Sequence, residues 1–219
     1  MMRRLYLLVE GQTEETFVRE LLMPHYARMG LFITPIIVST SPGYKGGVTS
    51  YGKVKPQISR LCKQDRHATV STLFDLYALP GDFPAKSADD YPAQGTGEQK
   101  ASFLENWLAQ DVNEPNFIAN LMVHEFEALL FVKPEKFGEW VDSPKIVTSL
   151  TAIAQAHETP EHINDSPQTA PSKRIAGLMP EYETTFHGPL IAAEIGLDSL
   201  RQACPHFNNW LLRLERLAA

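Results

Sequence analysis

The run Leu5-Tyr6-Leu7-Leu8-Val9 is short, apolar and closed at once by Glu10-Gly11-Gln12-Thr13-Glu14. Five apolar residues are too few for a buried helix and suit a strand covered on both faces. A strand buried on both faces belongs to a parallel sheet flanked by helices. The carboxylate that ends it, the glycine after it and the helix that Thr13 can cap would then lie at the carboxyl edge of that sheet. Ligands bind at this edge in open α/β folds. Glu10 and Glu14 could also serve only the dipole of the helix they precede.

The same alternation continues. Thr13–Met29 carries Phe17, Val18, Leu21, Leu22 and Tyr26 at helical spacing, with Gly30 placed as its C-terminal cap. Phe32–Val38 is predicted as a second strand, and Pro35 inside it points to an edge or a bulge. A glycine-containing loop over 39–52 precedes a helix over Lys53–Gln64 and a third strand over Thr69–Leu76. A long Pro- and Gly-rich loop over Pro80–Gly97 has the length expected of a functional or mobile segment. A helix over Lys100–Ala109 leads to a fourth strand over Phe117–Val123, which runs into His124-Glu125-Phe126-Glu127. Beyond Lys133 the apolar spacing is helical throughout and is broken by Pro144, Pro160, Pro167, Pro171, Pro180, Pro189 and Pro205. The expected architecture is a mostly parallel four-stranded α/β core over 1–132, with a helical region over 133–219 packed on it.

The 219 residues are enough for a substantial core, and 43% hydrophobic with 21% charged residues is ordinary for a globular chain. No apolar run approaches the roughly 18 residues that span a bilayer. Arg3 and Arg4 precede too short an apolar run for a signal peptide, so Cys62 and Cys204 are expected as reduced thiols in a cytoplasmic protein with no membrane role. A net charge of −6 is not that of a protein that coats nucleic acid, although local basic patches can still hold phosphates. The sequence has no P-loop, no Cys-x-x-Cys, no nucleophile elbow and no dinucleotide fingerprint. ATP hydrolysis by this chain alone and structural zinc are therefore not expected.

Three of the four predicted strands end in acids: Glu10, Asp75, and the pair Glu125 and Glu127. Parallel strands about 4.8 Å apart would bring these acids together on one edge. Such a cluster must raise a carboxyl pKa or bind a divalent cation, and hard oxygen ligands suit Mg²⁺ or Mn²⁺. Taken singly, Asp75 could cap a turn and Glu125 could start a helix. His124 could orient a water or protonate a leaving group, or simply hydrogen-bond a neighbouring loop. Lys53 and Lys55, with the Gly46-Gly47 loop, could track a phosphate backbone, and so could Lys173 and Arg174 behind a helix start capped by Ser172. A solvated charged face is the alternative for both.

The stretch Leu8-Val9-Glu10-Gly11-Gln12-Thr13-Glu14 resembles the glutamate motif of Toprim domains, the metal-binding module of topoisomerases, primases and overcoming-lysogenisation-defect nucleases. More closely, the chain resembles the bacterial family called domain of unknown function 4276, which is grouped with Toprim-like proteins. The matching segments are 10–14, Gly46-Gly47-Val48, Leu73 to Pro80, His124 to Phe131, Pro171-Ser172-Lys173-Arg174 and Cys204-Pro205-His206-Phe207.

The resemblance implies a Toprim-like fold with Glu10 as metal ligand or general base and Asp75 as the first aspartate of an Asp-x-Asp pair. Tyr77 stands where the second aspartate would be. Asp82, Glu125 or Glu127 could complete the sphere, and the Glu10, Glu14 and Asp75 set is the one closer to the overcoming-lysogenisation-defect nucleases. The implied function is a Mg²⁺- or Mn²⁺-dependent nuclease, with Glu10, Asp75 and Glu127 catalytic and Glu10, Glu14, Asp75, Glu125 and Glu127 around the metal. An ABC- or SMC-type ATPase partner in phage defence, nucleic acid as substrate and a homodimer are implied with it. The alternatives are a non-catalytic module that docks on an ATPase or nucleic acid, and a small-molecule phosphoesterase with the 80–97 loop as a lid.

Overall fold

The computed structural model describes residues 3–41, 44–45, 47–77, 79–163 and 168–218. Gly46, Ala78 and Pro167, named above, lie outside the described residues. Strand β1 (Arg3–Val9) pairs in parallel with β2 (Leu31–Ile37) on one side and β5 (Thr69–Asp75) on the other. Strands β6 (Phe117–Ile118) and β7 (Leu121–Met122) both pair in parallel with β5. The order is β2-β1-β5-β6, with β7 beside the far end of β5. A small antiparallel pair, β3 (Ser39–Ser41) and β4 (Tyr44–Lys45), stands apart.

The expected single fourth strand is split in two. Thr72 Oγ1 donates to the carbonyl of Asn120 at 2.7 Å and accepts its amide at 3.1 Å, and the Asn120 carboxamide donates to the Thr72 carbonyl at 3.1 Å. Side-chain bonds thus replace the ladder between β6 and β7. Pro35 lies on the edge strand, as its missing amide requires. Val38 donates to the carbonyl of Val9, and strand amides alternate in direction, so the position of Pro35 faces away from β1. Its ring therefore blunts the open edge against further pairing.

The first helix is α1 (Gln12–Phe17), a π-helical turn (Val18–Leu22) and α2 (Met23–Ala27) in succession. Pro24 explains the widened turn: it has no amide to donate, and its ring would clash with the carbonyl four residues back. Gly30 follows with φ +78°, the left-handed conformation expected of a cap. Helix α3 (Tyr51–Gln64) and helix α4 (Gly97–Val112) cover the other face. α4 begins a turn earlier than its apolar spacing suggests because Thr96 and Gln99 form a reciprocal capping box.

The C-terminal region is helical, as expected. Two 3₁₀ segments (Phe126–Val132 and Pro134–Glu139) precede α5 (Pro144–Gln155), α6 (Pro171–Leu178), α7 (Thr184–Ile195), α8 (Leu197–Ala203) and α9 (Pro205–Ala218). Pro144, Pro171 and Pro205 each begin a helix, where their lack of an amide costs nothing. Successive residues of β1 point to opposite faces. Leu7 joins Phe17, Tyr26, Ile175, Ile191 and Trp210 in one apolar cluster, and Leu8 joins Val54, Ile58, Val70, Phe74 and Leu104 in the other. The C-terminal helices therefore share a core with β1 and α1. Cys62 and Cys204 are buried free thiols. Among the described residues no helix is long and apolar enough to cross a membrane.

Candidate functional site

Register places the acids. Val9 pairs with Leu73 and Asp75 pairs with Met122, so Glu10, Asp75 and the segment after Met122 emerge at the same edge. The Asp75 amide donates to Glu10 Oε1 at 2.7 Å. The Phe126 amide donates to Asp75 Oδ1 at 3.0 Å. The Ser172 amide, in the first turn of α6, donates to Glu125 Oε1 in a short contact. Glu14 Oε2 accepts the Gly11 amide at 2.8 Å and so closes the first turn of α1. Four carboxylates from four segments are thus each anchored to a main-chain amide, three of them to the amide of another segment.

Burial and their mutual charges shift the ionisation of several of them. Burial is the main reason the Glu10 carboxyl is pushed up to about 7, with the charge of Glu14 adding to it. Asp75 is driven well above the usual carboxylate range by burial, then by the charges of Glu10, Glu14, Glu127 and Glu125. Glu127 rises to about 8 through burial and the charges of Glu125 and Glu14. Glu14 is raised as well, chiefly by burial. The Tyr182 hydroxyl is buried beside Glu127 but does not reach good hydrogen-bonding geometry, and its own proton is held more tightly by burial and by Glu127 and Glu125.

The five acids singled out in the sequence therefore meet as one electrostatic unit. Among the described residues, no three His, Cys, Asp or Glu side chains already converge as a ligand set. The donors nevertheless suit a hard divalent cation. They are all carboxylates brought together from distant parts of the chain, and burial raises the proton affinities of Glu10, Glu14, Asp75 and Glu127, with mutual repulsion adding to it at Glu10, Asp75 and Glu127.

The other predicted residues fall differently. His124 is buried with φ +64°, its carbonyl accepts the Tyr77 amide at 2.8 Å, and its ring lies against Gly97 at the start of α4. A methyl group on Gly97 would stand 2.8 Å from the His124 ring. Lys173 is exposed in the first turn of α6, one residue beyond the amide that holds Glu125. Arg174 Nε donates to the Thr169 carbonyl at 2.6 Å. Lys55 is paired with Asp111 at 2.9 Å, and Lys53 is exposed near the start of α3.

Ser172 does not cap α6. Ala170 holds that position and Pro171 fills the first helical one, so the anion that meets this helix start is Glu125. Asp82 accepts from the Ser50 hydroxyl and from the Tyr51 and Gly52 amides, which places it at the start of α3. The 80–97 loop is correspondingly anchored, with Phe83 buried against Tyr51. Tyr182 was missed in the sequence, because nothing local to Glu181-Tyr182-Glu183 signals a partner 55 residues away in the chain.

A mostly parallel sheet with an acidic carboxyl edge and a helical region packed on it defines an α/β protein. The family model described as "Domain of unknown function (DUF4276)" matches residues 9–215, and the chain belongs to that family. Two solved structures are similar over 97% of both chains. They are the C-terminal region of the Xanthomonas campestris pv. campestris OLD protein phased with mercury, at 14% identity and a TM-score of 0.44, and the same region phased with iodine, at 12% and 0.39. No curated protein matches the chain in sequence.

Proposed function

We propose that this protein is a divalent-metal-dependent nuclease that cleaves phosphodiesters at the acidic edge. The observation that carries the proposal is the placement of Glu10, Glu14, Asp75, Glu125 and Glu127 at one sheet edge, where Glu14, Glu125 and Glu127 are buried, Glu10 and Asp75 are half-buried, and the other four charges bear on Asp75. Glu10, Asp75 and Glu127 would hold Mg²⁺ or Mn²⁺, with Glu14 and Glu125 beside them. When bound, such an ion lowers the pKa of water and stabilises charge on a transferring phosphoryl group.

The chain's own residues supply the rest. Glu10 and Glu127, with proton affinities near neutral pH, are able to take up or release a proton at their carboxylate oxygens. The anchoring amides of Asp75, Phe126 and Ser172 fix the orientation of the carboxylates before substrate arrives. Lys173, exposed beside Glu125, would meet the substrate phosphate, with Arg174 and the Lys53–Lys55 stretch as further contacts. A partner ATPase of the ABC or SMC type, and a role in defence against phage, belong to the same proposal through the family resemblance.

Tyr77 in place of a second aspartate favours one rival, a non-catalytic module that docks on an ATPase or on nucleic acid. The two separate in one experiment. Plasmid, single-stranded DNA and RNA are incubated with the protein and Mg²⁺ or Mn²⁺, beside Glu10→Ala and Asp75→Ala. Metal-dependent cleavage lost in both variants supports the nuclease. Cleavage unchanged in both removes the proposed site. No cleavage of any substrate, with or without the ATPase, leaves the docking module.

A further inference from the structure

A cleft of about 220 Å³ opens between α4 and α9, and none of its lining residues belongs to the acidic edge. Glu98 and Glu105 line it from α4, and His206 and Arg213 line it from α9. Each pair is seven residues apart, two turns along one helical face. Helices in a folded core normally turn apolar stripes towards each other. Here two polar stripes face each other across a void.

The floor is rigid. Glu105 Oε1 accepts the Leu121 amide at 2.7 Å and lies 2.8 Å from His206 Nε2. Glu161 accepts the His206 and Phe207 amides, both at 2.9 Å, and fixes the first turn of α9. Trp210 Nε1 donates to Ser71 Oγ at 3.1 Å, and Arg213 donates to the Ala119 carbonyl at 3.2 Å. Burial opposes a charge on His206, yet the hydrogen bond to Glu105, with the charges of Glu105, Glu161 and Glu98, raises its pKa above the usual value.

The lining selects its ligand by exclusion. Trp210 is the aromatic side chain in the lining, but it is 2% exposed and packs on Phe207, so it has no face for a nucleobase or other flat apolar group. A simple anion would meet Glu98 and Glu105. A simple cation would meet Arg213 and His206. A molecule carrying both charges is complemented at each end, and the volume falls below the roughly 300 Å³ at which drug-sized pockets begin. We propose that the α4–α9 cleft binds a small zwitterion of amino-acid size, with its ammonium group towards Glu98 and its carboxylate towards Arg213. The ligand would tie the C-terminal helix to the α/β core. This proposal depends on neither the metal nor the nuclease assignment.

Thermal unfolding and calorimetric titration of the full chain against the individual common α-amino acids test it. At least one should raise the melting temperature saturably, because a ligand of the native state stabilises it. The N-acetyl and carboxamide derivatives of that amino acid should lose the effect. Glu98→Gln and Arg213→Gln, both at exposed positions, should each weaken binding by about tenfold or more. Circular dichroism checks their folding, and Arg213→Lys, which keeps the charge, should bind more tightly than Arg213→Gln. Three results would each overturn the proposal: neither heat nor a thermal shift with any amino acid at roughly 10 mM, binding indifferent to both substitutions, or equal binding of the N-acetyl derivative.

Discussion

Asp75 is half-buried and feels four carboxylate neighbours, Glu10, Glu14, Glu127 and Glu125. Removing its charge relieves all four repulsions, while a carboxamide oxygen can still accept the Phe126 amide. Asp75→Asn is therefore expected to abolish metal-dependent cleavage and to stabilise the metal-free protein, by more at pH 8 than at pH 5, because the unfolded Asp75 carboxyl ionises while burial and its neighbours hold the folded one protonated. Urea unfolding at the two pH values checks this, and an equal change at both would contradict it. Gly188 is a second position with a definite expectation. A Cβ there would lie 2.9 Å from the Tyr182 hydroxyl and 3.2 Å from the Phe126 ring, both part of the wall behind Glu127. Gly188→Ala should destabilise by about 1–3 kcal/mol through overpacking. Urea unfolding measures the loss, and a variant as stable as the parent would show that α7 yields freely at this point.

At the scale of elements, the division between β6 and β7 rests on one side-chain bridge. Thr72→Val preserves the shape of the side chain and removes the hydroxyl, leaving the Asn120 amide and carbonyl buried without it. The expected cost is about 1–3 kcal/mol, read from denaturant midpoints, with protection of the Asn120 amide lost in hydrogen exchange. The same bridge shows why part of the fold was hidden in the sequence. Apolar periodicity made β1, β2, β5 and the helices legible because it reports burial on a face. Parallel order made the acidic edge legible because Glu10 follows β1, Asp75 ends β5 and Glu125 comes shortly after β7. What stayed hidden is made of contacts without local signature. The Thr72–Asn120 pair spans 48 residues, Glu125 meets a backbone amide, and Tyr182 comes to lie beside Glu127 from a proline-broken stretch. Pro24 was visible, but its effect on the helix depends on a ring meeting the carbonyl one turn back.

On the scale of the whole molecule, the acidic edge should set how stability varies with pH. Glu10 and Glu127 titrate near 4.5 when the chain is unfolded and at about 7 and about 8 when it is folded. Below 4.5 both states carry these protons, and the groups contribute no difference. From 4.5 up to about 7 for Glu10 and about 8 for Glu127, the unfolded chain ionises while the folded one retains its proton, so stability falls as pH rises, by up to about 1.4 kcal/mol per pH unit for each group. Above 8 both states are ionised and the penalty is constant. The raised pKa of His206 acts in the same direction, since its stabilisation is also lost as pH rises through the folded value. The melting temperature of the metal-free protein should therefore decline from about pH 5 to about pH 8. Asp75→Asn, which leaves the His206 pair intact, should decline less, and the difference between the two curves isolates the acidic edge. Mg²⁺ or Mn²⁺ should recover most of that difference at pH 8 and almost none at pH 5, where protons already compensate the carboxylates. A metal-induced shift of equal size at both pH values, or one that persists undiminished in Asp75→Asn, would mean that the cation binds elsewhere and that the converging acids are not its ligands.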